Sequence, residues 1–225
     1  MHYLTKPEVF MSTRYTSADA AHYVQHLCVE FNTAYPNNNF PYSELNILFA
    51  QLQRLLMLNP SQIGWVNIHS VFDVMTELTQ AQISLNPNRK QASILLGAYY
   101  DSGWLGVQLC WTYRGYRDAA AKAGIIRSAR PVIVYEADDF QWIDSFTPPR
   151  HQYDPFSKNR GNIRGAYCVA ELAGGGVCVT HFTFDDLMTT FEHRQVATRA
   201  WNEFFVGMIL AKTVRLSEKA WSEAA

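Results

Sequence analysis

At "NPNRK", residues 86–90, the sequence changes its period, and that change restricts the possible folds more than any other feature. Before it, apolar residues recur at helical spacing in three segments. Residues 17–34 ("SADAAHYVQHLCVEFNTA") open on Ser17 as a cap and stop at "YPNNNFP". Residues 43–58 begin on Ser43 and are broken by "NPSQ", and residues 67–82 put Ile68, Val71, Phe72, Met75 and Leu78 on one face. After the break the pattern is that of strands. "QASILLGAYYDSGWLGVQLCWT" reads as two strands around "YDSG". A helix then runs from a Thr112 cap to Gly124, a residue type favoured just past a helix end. "ARPVIVYEADDF" reads as a strand, and residues 141–162, with Pro148, Pro149 and Pro155, as a long loop. "IRGAYCVAELAGGGVCVTHFTF" is a hairpin around "AGGG", and a long helix over roughly 195–219 closes the chain. The expected class is α+β: a small antiparallel sheet with hairpins packed against several helices, including a long C-terminal one.

With 225 residues, 48% of them hydrophobic, the chain can bury a substantial core. There is no internal repeat or low-complexity tract, and one compact α+β domain is the simplest division. The four cysteines, Cys28, Cys110, Cys168 and Cys178, have no C-x-x-C spacing and no histidine at ligand distance in sequence. They are expected to be reduced and mostly buried, as suits an intracellular protein. Pairing Ala173 with Gly176 at the tip of the last hairpin sets Cys168 opposite His181 and Cys178 opposite Glu171. The two cysteines then fall on opposite faces of the hairpin. The first residues, "MHYLTKPEVFMSTRY", lack the layout of a signal peptide, and "VGMILA" is too short to span a bilayer. A soluble, cytoplasmic protein is the expectation.

The formal net charge of −1 gives no general attraction to nucleic acid or to anionic lipid. That near-neutral value conceals an uneven distribution. Residues 1–88 carry a net −3, residues 89–135 a net +5, residues 136–165 a net −1 and residues 166–225 a net −2. Inside the basic block lies "YRGYRDAAAKAGIIR", in which Arg114 and Arg117 flank a glycine and a tyrosine. At i,i+4 spacing, Arg114 with Asp118 and Asp118 with Lys122 form a solvated charge ladder on a helix. Arg117 has no acidic partner at helical distance, which leaves it for an external anion. The same segment therefore reads either as ordinary surface ion pairs or as a phosphate-facing helix.

The last helix repeats the ambiguity. Trp201, Phe205, Met208, Lys212, Arg215 and Lys219 follow a 4-3-4-3-4 spacing and share a face that turns from apolar to basic. A core helix running out into solvent has this pattern, and so does a helix that carries cations to a phosphate-lined groove. Glu136, Asp138 and Asp139 form an acidic cluster of the kind a divalent metal needs, as in a metal-dependent nuclease. No further carboxylate-rich or H-x-H segment joins it. "GGG" at 174–176 lacks a following G-K-[ST], no G-x-S-x-G elbow occurs, and His151 and His181 have no nucleophile beside them. No residue is read as catalytic, and no cofactor or resident metal is implied.

Five segments in this order, "LNPNRKQASILL", "YRGYRDAAAKAGII", "VIVYEADDF", "RGAYCVAELAGGGV" and "AKTVRL", resemble the RecT family of phage-type single-strand DNA annealing proteins. The resemblance spans residues 84 to 219, and more loosely from about 55. It divides the chain into a helical extension over 1–54 and an annealing core over 55–225. It implies ATP-independent binding of single-stranded DNA and annealing of complementary strands in recombination and repair. It also implies a homo-oligomer, as a ring or helical filament, acting in a bacterial host beside a phage-encoded exonuclease or a host single-strand binding protein. By position, the family's basic helix residues fall on Arg114, Arg117 and Lys122, and its terminal Lys-Thr pair on Lys212 and Thr213. Lys158 and Arg160 of the loop, Arg164 beside the "GAY" strand, and Arg215 and Lys219 complete the expected DNA-binding set. On this reading Glu136, Asp138 and Asp139 are a structural signature. The chain departs from the family at Ala211 and Leu216, where cations are usual.

Overall fold

The computed structural model describes residues 16–99, 103–189 and 198–224, with the side chains of residues 17 and 198–203 outside the description. The chain divides into two units: Met1–Gln80 with Ile94–Leu109, and Ala81–Ser93 with Cys110–Ala225.

In the first unit, α1 (Ser17–Ala34) is capped by Thr16, one residue earlier than the sequence suggests. The Thr16 hydroxyl donates to Asp19 Oδ2 at 2.8 Å, fixing the first turn. α2 (Tyr42–Leu58) buries Leu45, Leu48, Phe49, Leu52 and Leu56, the i,i+3,i+4 stripe of an amphipathic helix. Phe31 of α1 meets Phe49 of α2 edge to face at 6.2 Å. After a 3-10 turn at Pro60–Gln62, α3 (His69–Ala81) buries Val71, Val74, Met75 and Leu78. Strands β1 (Ala92–Tyr99) and β2 (Trp104–Trp111) form the first expected hairpin. Within the unit, β2 is tied to α3 by the Val107 N–H, which donates to Ser70 Oγ at 2.8 Å. That bond accounts for a buried serine on an otherwise apolar helix face.

The second unit is built on an antiparallel sheet of order β3-β6-β7: β3 (Ile126–Tyr135), β6 (Ile163–Leu172) and β7 (Val177–Thr183). α4 (Tyr113–Lys122) and α6 (Thr198–Ala224) cover one face, where Ala120, Val214 and Trp221 join Ile126, Ala129, Cys168, Ala170 and Cys178 in one core. Residues 141–162, expected as a loop, contain half of a further short hairpin, β4 (Asp139–Gln141) with β5 (Arg150–Gln152). Phe140 and Trp142 of this segment pack on Val134, Tyr167 and Val179 of the opposite sheet face. A short α5 (Phe184–Met188), boxed by Thr183 and Asp186, follows β7. The α+β class and the long terminal helix are as expected, although α6 runs to Ala224 and is interrupted at Phe204 (φ −130°, ψ 37°). Among the described residues no helix is long and apolar enough to cross a membrane.

One expectation is overturned by register. Glu171 pairs with Val177, Ala170 with Cys178, Cys168 with Thr180 and Tyr167 with His181. This is one residue off the expected pairing, and in a structure of period two a single slip reverses every face assignment. Cys168 and Cys178 therefore lie on the same buried face, as free thiols. The cause is the turn: the Gly175 N–H closes on the Leu172 carbonyl at 3.1 Å, and Gly175 and Gly176 both take positive φ (102° and 86°). Only glycine adopts two such residues in succession at little cost. Burial pushes the Cys168 thiol up to about 12, so it is an inert core group.

Candidate nucleic-acid interface

α4 begins where the Thr112 hydroxyl accepts the Gly115 N–H at 3.2 Å and itself donates to the Lys90 carbonyl at 2.6 Å. Its end is marked by Gly124 at φ 72°, as expected. Gly115 is required by proximity: a Cβ there would lie 2.3 Å from the Gln91 carbonyl oxygen. Ala120 is buried against α6, and Tyr116 stacks on Trp111 with ring centroids 4.8 Å apart. Both tyrosines of the motif, Tyr113 and Tyr116, pack against the core. The small residues thus let α4 approach closely, and its charged residues occupy the remaining circumference.

The expected i,i+4 ladder is replaced by other pairings. Arg117 donates through Nε and Nη2 to Asp118 Oδ1 at 2.9 and 2.7 Å. Asp118 also accepts from Gln91 Nε2 at 2.9 Å, which holds its carboxylate away from the ladder. Arg114 donates to the Tyr113 hydroxyl at 3.3 Å, and that bond raises its already high pKa. Lys122 donates to the Gln82 carbonyl. A surface ion pair of the Arg117–Asp118 kind is worth little in stability, and its guanidinium keeps further donors for an external anion.

α6 presents its cations unequally. Arg215 is exposed, and Lys219 is 86% exposed beside Glu223 at 3.8 Å. Lys212 is buried at 9% exposure, and Thr213 is fully buried, its hydroxyl donating to the Ile209 carbonyl at 2.8 Å. The predicted common face of Phe205, Met208, Lys212, Arg215 and Lys219 is therefore split between interior and solvent, and Trp201 lies outside the described side chains. Burial, reinforced by Arg215 nearby, pushes the Lys212 ammonium below the usual lysine pKa. No carboxylate among the described residues pairs with it. The cost of holding this charge is present at neutral pH and is relieved as pH rises through the lowered pKa. Lys212→Met, which keeps the aliphatic stem, is expected to leave the thermal midpoint unchanged or raise it while annealing of complementary oligonucleotides falls. A lowered midpoint with intact annealing would make Lys212 a packing residue only.

The acidic cluster has an internal purpose. Asp138, with 1% of its side chain exposed, accepts from Arg160 Nε at 2.8 Å, Arg160 Nη2 at 2.6 Å, the Tyr135 N–H at 2.8 Å and His151 Nε2 at 3.0 Å. Glu136 accepts the Asn162 N–H at 2.9 Å. These bonds clamp the turn after β3 onto residues 160–162. The Arg160 guanidinium lies between the Tyr135 and Tyr153 rings, at 4.3 and 3.9 Å. Among the described residues no group of His, Cys, Asp and Glu is arranged to hold a metal. Arg160 is thus committed to an intramolecular anion, while Lys158 and Arg164, elsewhere in the expected set, are exposed. Arg130, on a strand of the same unit, is a cation the sequence reading passes over; its alternation with Ser128 and Val132 is the available signal.

The fold and these side chains define an α+β protein that displays cations on helices packed against a three-stranded antiparallel sheet. A model of the RecT family matches residues 48–224, and the chain belongs to that family. The family implies a single-strand annealing protein of DNA recombination, and its annealing proteins are generally non-enzymatic. No curated protein matches the chain.

Proposed function

We propose that this chain binds single-stranded DNA through α4 and the end of α6 and anneals it to its complement without ATP, as a ring or helical oligomer. The observation that carries the reading is the division of α4: Gly115 and Ala120 are buried, while Arg114 and Arg117 are half-buried and Lys122 is exposed on the rest of its circumference. Annealing requires a surface that holds the backbone and leaves base edges free to pair. Cations on phosphates do this irrespective of sequence, with affinity supplied by counterion release. Ordering the strand in advance removes part of the entropic cost of nucleating a duplex. A near-neutral protomer still builds a basic groove when an assembly aligns one cationic block per copy. Residues 55–225 form the annealing core on this reading, and residues 1–54 an extension. An exonuclease or a single-strand binding protein is the partner expected beside it.

Arg117→Ala is expected to weaken binding to all single strands alike and to reduce the slope of log affinity against log salt by about 0.7, one phosphate contact. An unchanged slope would remove Arg117 from the interface. The same strands, labelled and incubated with magnesium or manganese, are expected to keep their length. Shortening would favour the nuclease reading, against which Asp138 is already engaged with Arg160 and His151.

A further inference from the structure

The sheet face opposite α4 and α6 carries a groove of about 450 Å³, within the size range of small-ligand sites. Val132 and Val169 contribute to its floor, Arg130 stands at its side, and Pro148, Pro149 and Tyr153 of the β4–β5 segment form the facing wall. Three properties of this groove are independent of the α4 and α6 cations.

Its aromatic wall is preorganised. Tyr153, 43% exposed, has the Arg160 guanidinium over its ring at 3.9 Å, and Arg160 is fixed by its two bonds to Asp138. The next link is also fixed: His151, bonded to Asp138 through Nε2, meets the Tyr167 hydroxyl through Nδ1 at 3.2 Å, and both residues line the groove. The buried ionic node behind the wall thus sets the position of a ring that also meets the His151 ring, centroids 4.9 Å apart, and keeps its exposed part toward the groove.

Its cation is available. Arg130 is exposed and makes no ion pair or side-chain hydrogen bond with the described residues. A planar guanidinium with its donors free is suited to a phosphate or carboxylate oxygen.

Its floor has an apolar patch, Val132 and Val169, between polar residues. A rigid ring, two valines, two prolines and one free guanidinium complement a flat heteroaromatic body carrying an anion. Ser128 and Glu171 close the end of the groove with a hydroxyl and an acceptor for the N–H edge of such a body.

We propose that this groove binds one nucleotide of a DNA strand, its base against Tyr153 and its phosphate on Arg130; the assignment rests on the single-strand reading above. A nucleotide is favoured over a peptide terminus because the exposed wall is aromatic and the cation stands alone, the pattern of base-stacking platforms. The groove would anchor a nucleotide while the α4 cations follow the backbone.

The test compares a labelled oligodeoxycytidylate with an abasic strand of the same length, titrated by fluorescence anisotropy against the full chain. Tyr153→Leu is expected to weaken binding of the base-bearing strand about tenfold, a loss typical of one stacked base, and to leave the abasic strand unaffected. Tyr153→Phe should restore the wild-type value, and Arg130→Ala should weaken both strands. Ser128→Trp, which fills the groove from an exposed strand position, should reproduce the base-dependent loss even if Tyr153→Leu folds poorly. Equal effects of Tyr153→Leu and Ser128→Trp on the two strands, or none on either, overturn the groove assignment and leave α4 binding intact. Failure of the wild-type chain to bind any strand overturns both readings together.

Discussion

Asp138→Ala is expected to destabilise the protein by about 3 kcal/mol in urea unfolding at neutral pH, the scale seen when one partner of a buried ion pair is removed. The carboxylate is enclosed and accepts four hydrogen bonds, two from Arg160 and one each from the Tyr135 N–H and His151. Its removal strands the Arg160 guanidinium between two tyrosine rings and leaves a backbone N–H without an acceptor. The pKa carries the same information. Burial alone pushes the Asp138 carboxyl up, but the Arg160 bonds, the Tyr135 N–H and His151 together outweigh it and hold it at about 2. Because the folded value lies below the unfolded 3.8, the carboxylate's contribution is complete above that pH and is lost as pH falls from 3.8 toward about 2. The stability gap between wild type and Asp138→Ala should therefore narrow across that window. A gap that stays constant would mean that shape, and not charge, is what Asp138 supplies.

The second large effect is expected at Gly115. An alanine Cβ would come within 2.3 Å of the Gln91 carbonyl oxygen and 3.4 Å of the Trp111 ring, and the nearer obstacle is backbone that cannot rotate aside. α4 must then lift from Gln91 and Trp111, straining the bond from the Thr112 N–H to the Gln91 carbonyl (3.0 Å) and the cap that Thr112 supplies. Overpacking of this kind costs about 1–3 kcal/mol, or roughly 5 °C in the thermal midpoint of a chain this size. Single-strand affinity is expected to fall as well, because Arg114 and Arg117 move with the helix although Gly115 touches no phosphate. Gly174→Ala is the control: its Cβ would meet nothing within 4 Å, and both measurements should stay at wild type. If Gly115→Ala lowers the midpoint but leaves affinity unchanged, α4 does not position the strand.

The candidate site was less legible than the fold, and particular residues show why. The Thr112 cap and Gly124 stop of α4 depend on neighbours in sequence, and both are found where expected. The partner of Arg117 was not readable, because Asp118 is held by Gln91, which lies 27 positions away. Arg160 reads as one more loop cation, but the fold sets it on Asp138, 22 positions distant. Lys212 sits at a spacing shared with exposed Arg215 and Lys219, and only the packing of α6 separates them. Charge and spacing identify cations, but not which of them are already neutralised.

By itself the sequence determined the change from helical to strand periodicity at residues 86–90, two of the three described hairpins, the cap and stop of α4 and, through ordered motifs, the family, whereas the caps expected at Ser17 and Ser43 fall on Thr16 and Pro41. These depend on propensities and turn chemistry that act over a few residues. Tertiary structure alone decided the register of β6 with β7, the shared face of Cys168 and Cys178, the burial of Lys212 and the Asp138 node. Each of those turns on which distant groups meet, and a one-residue slip or a single remote acceptor is invisible to local pattern.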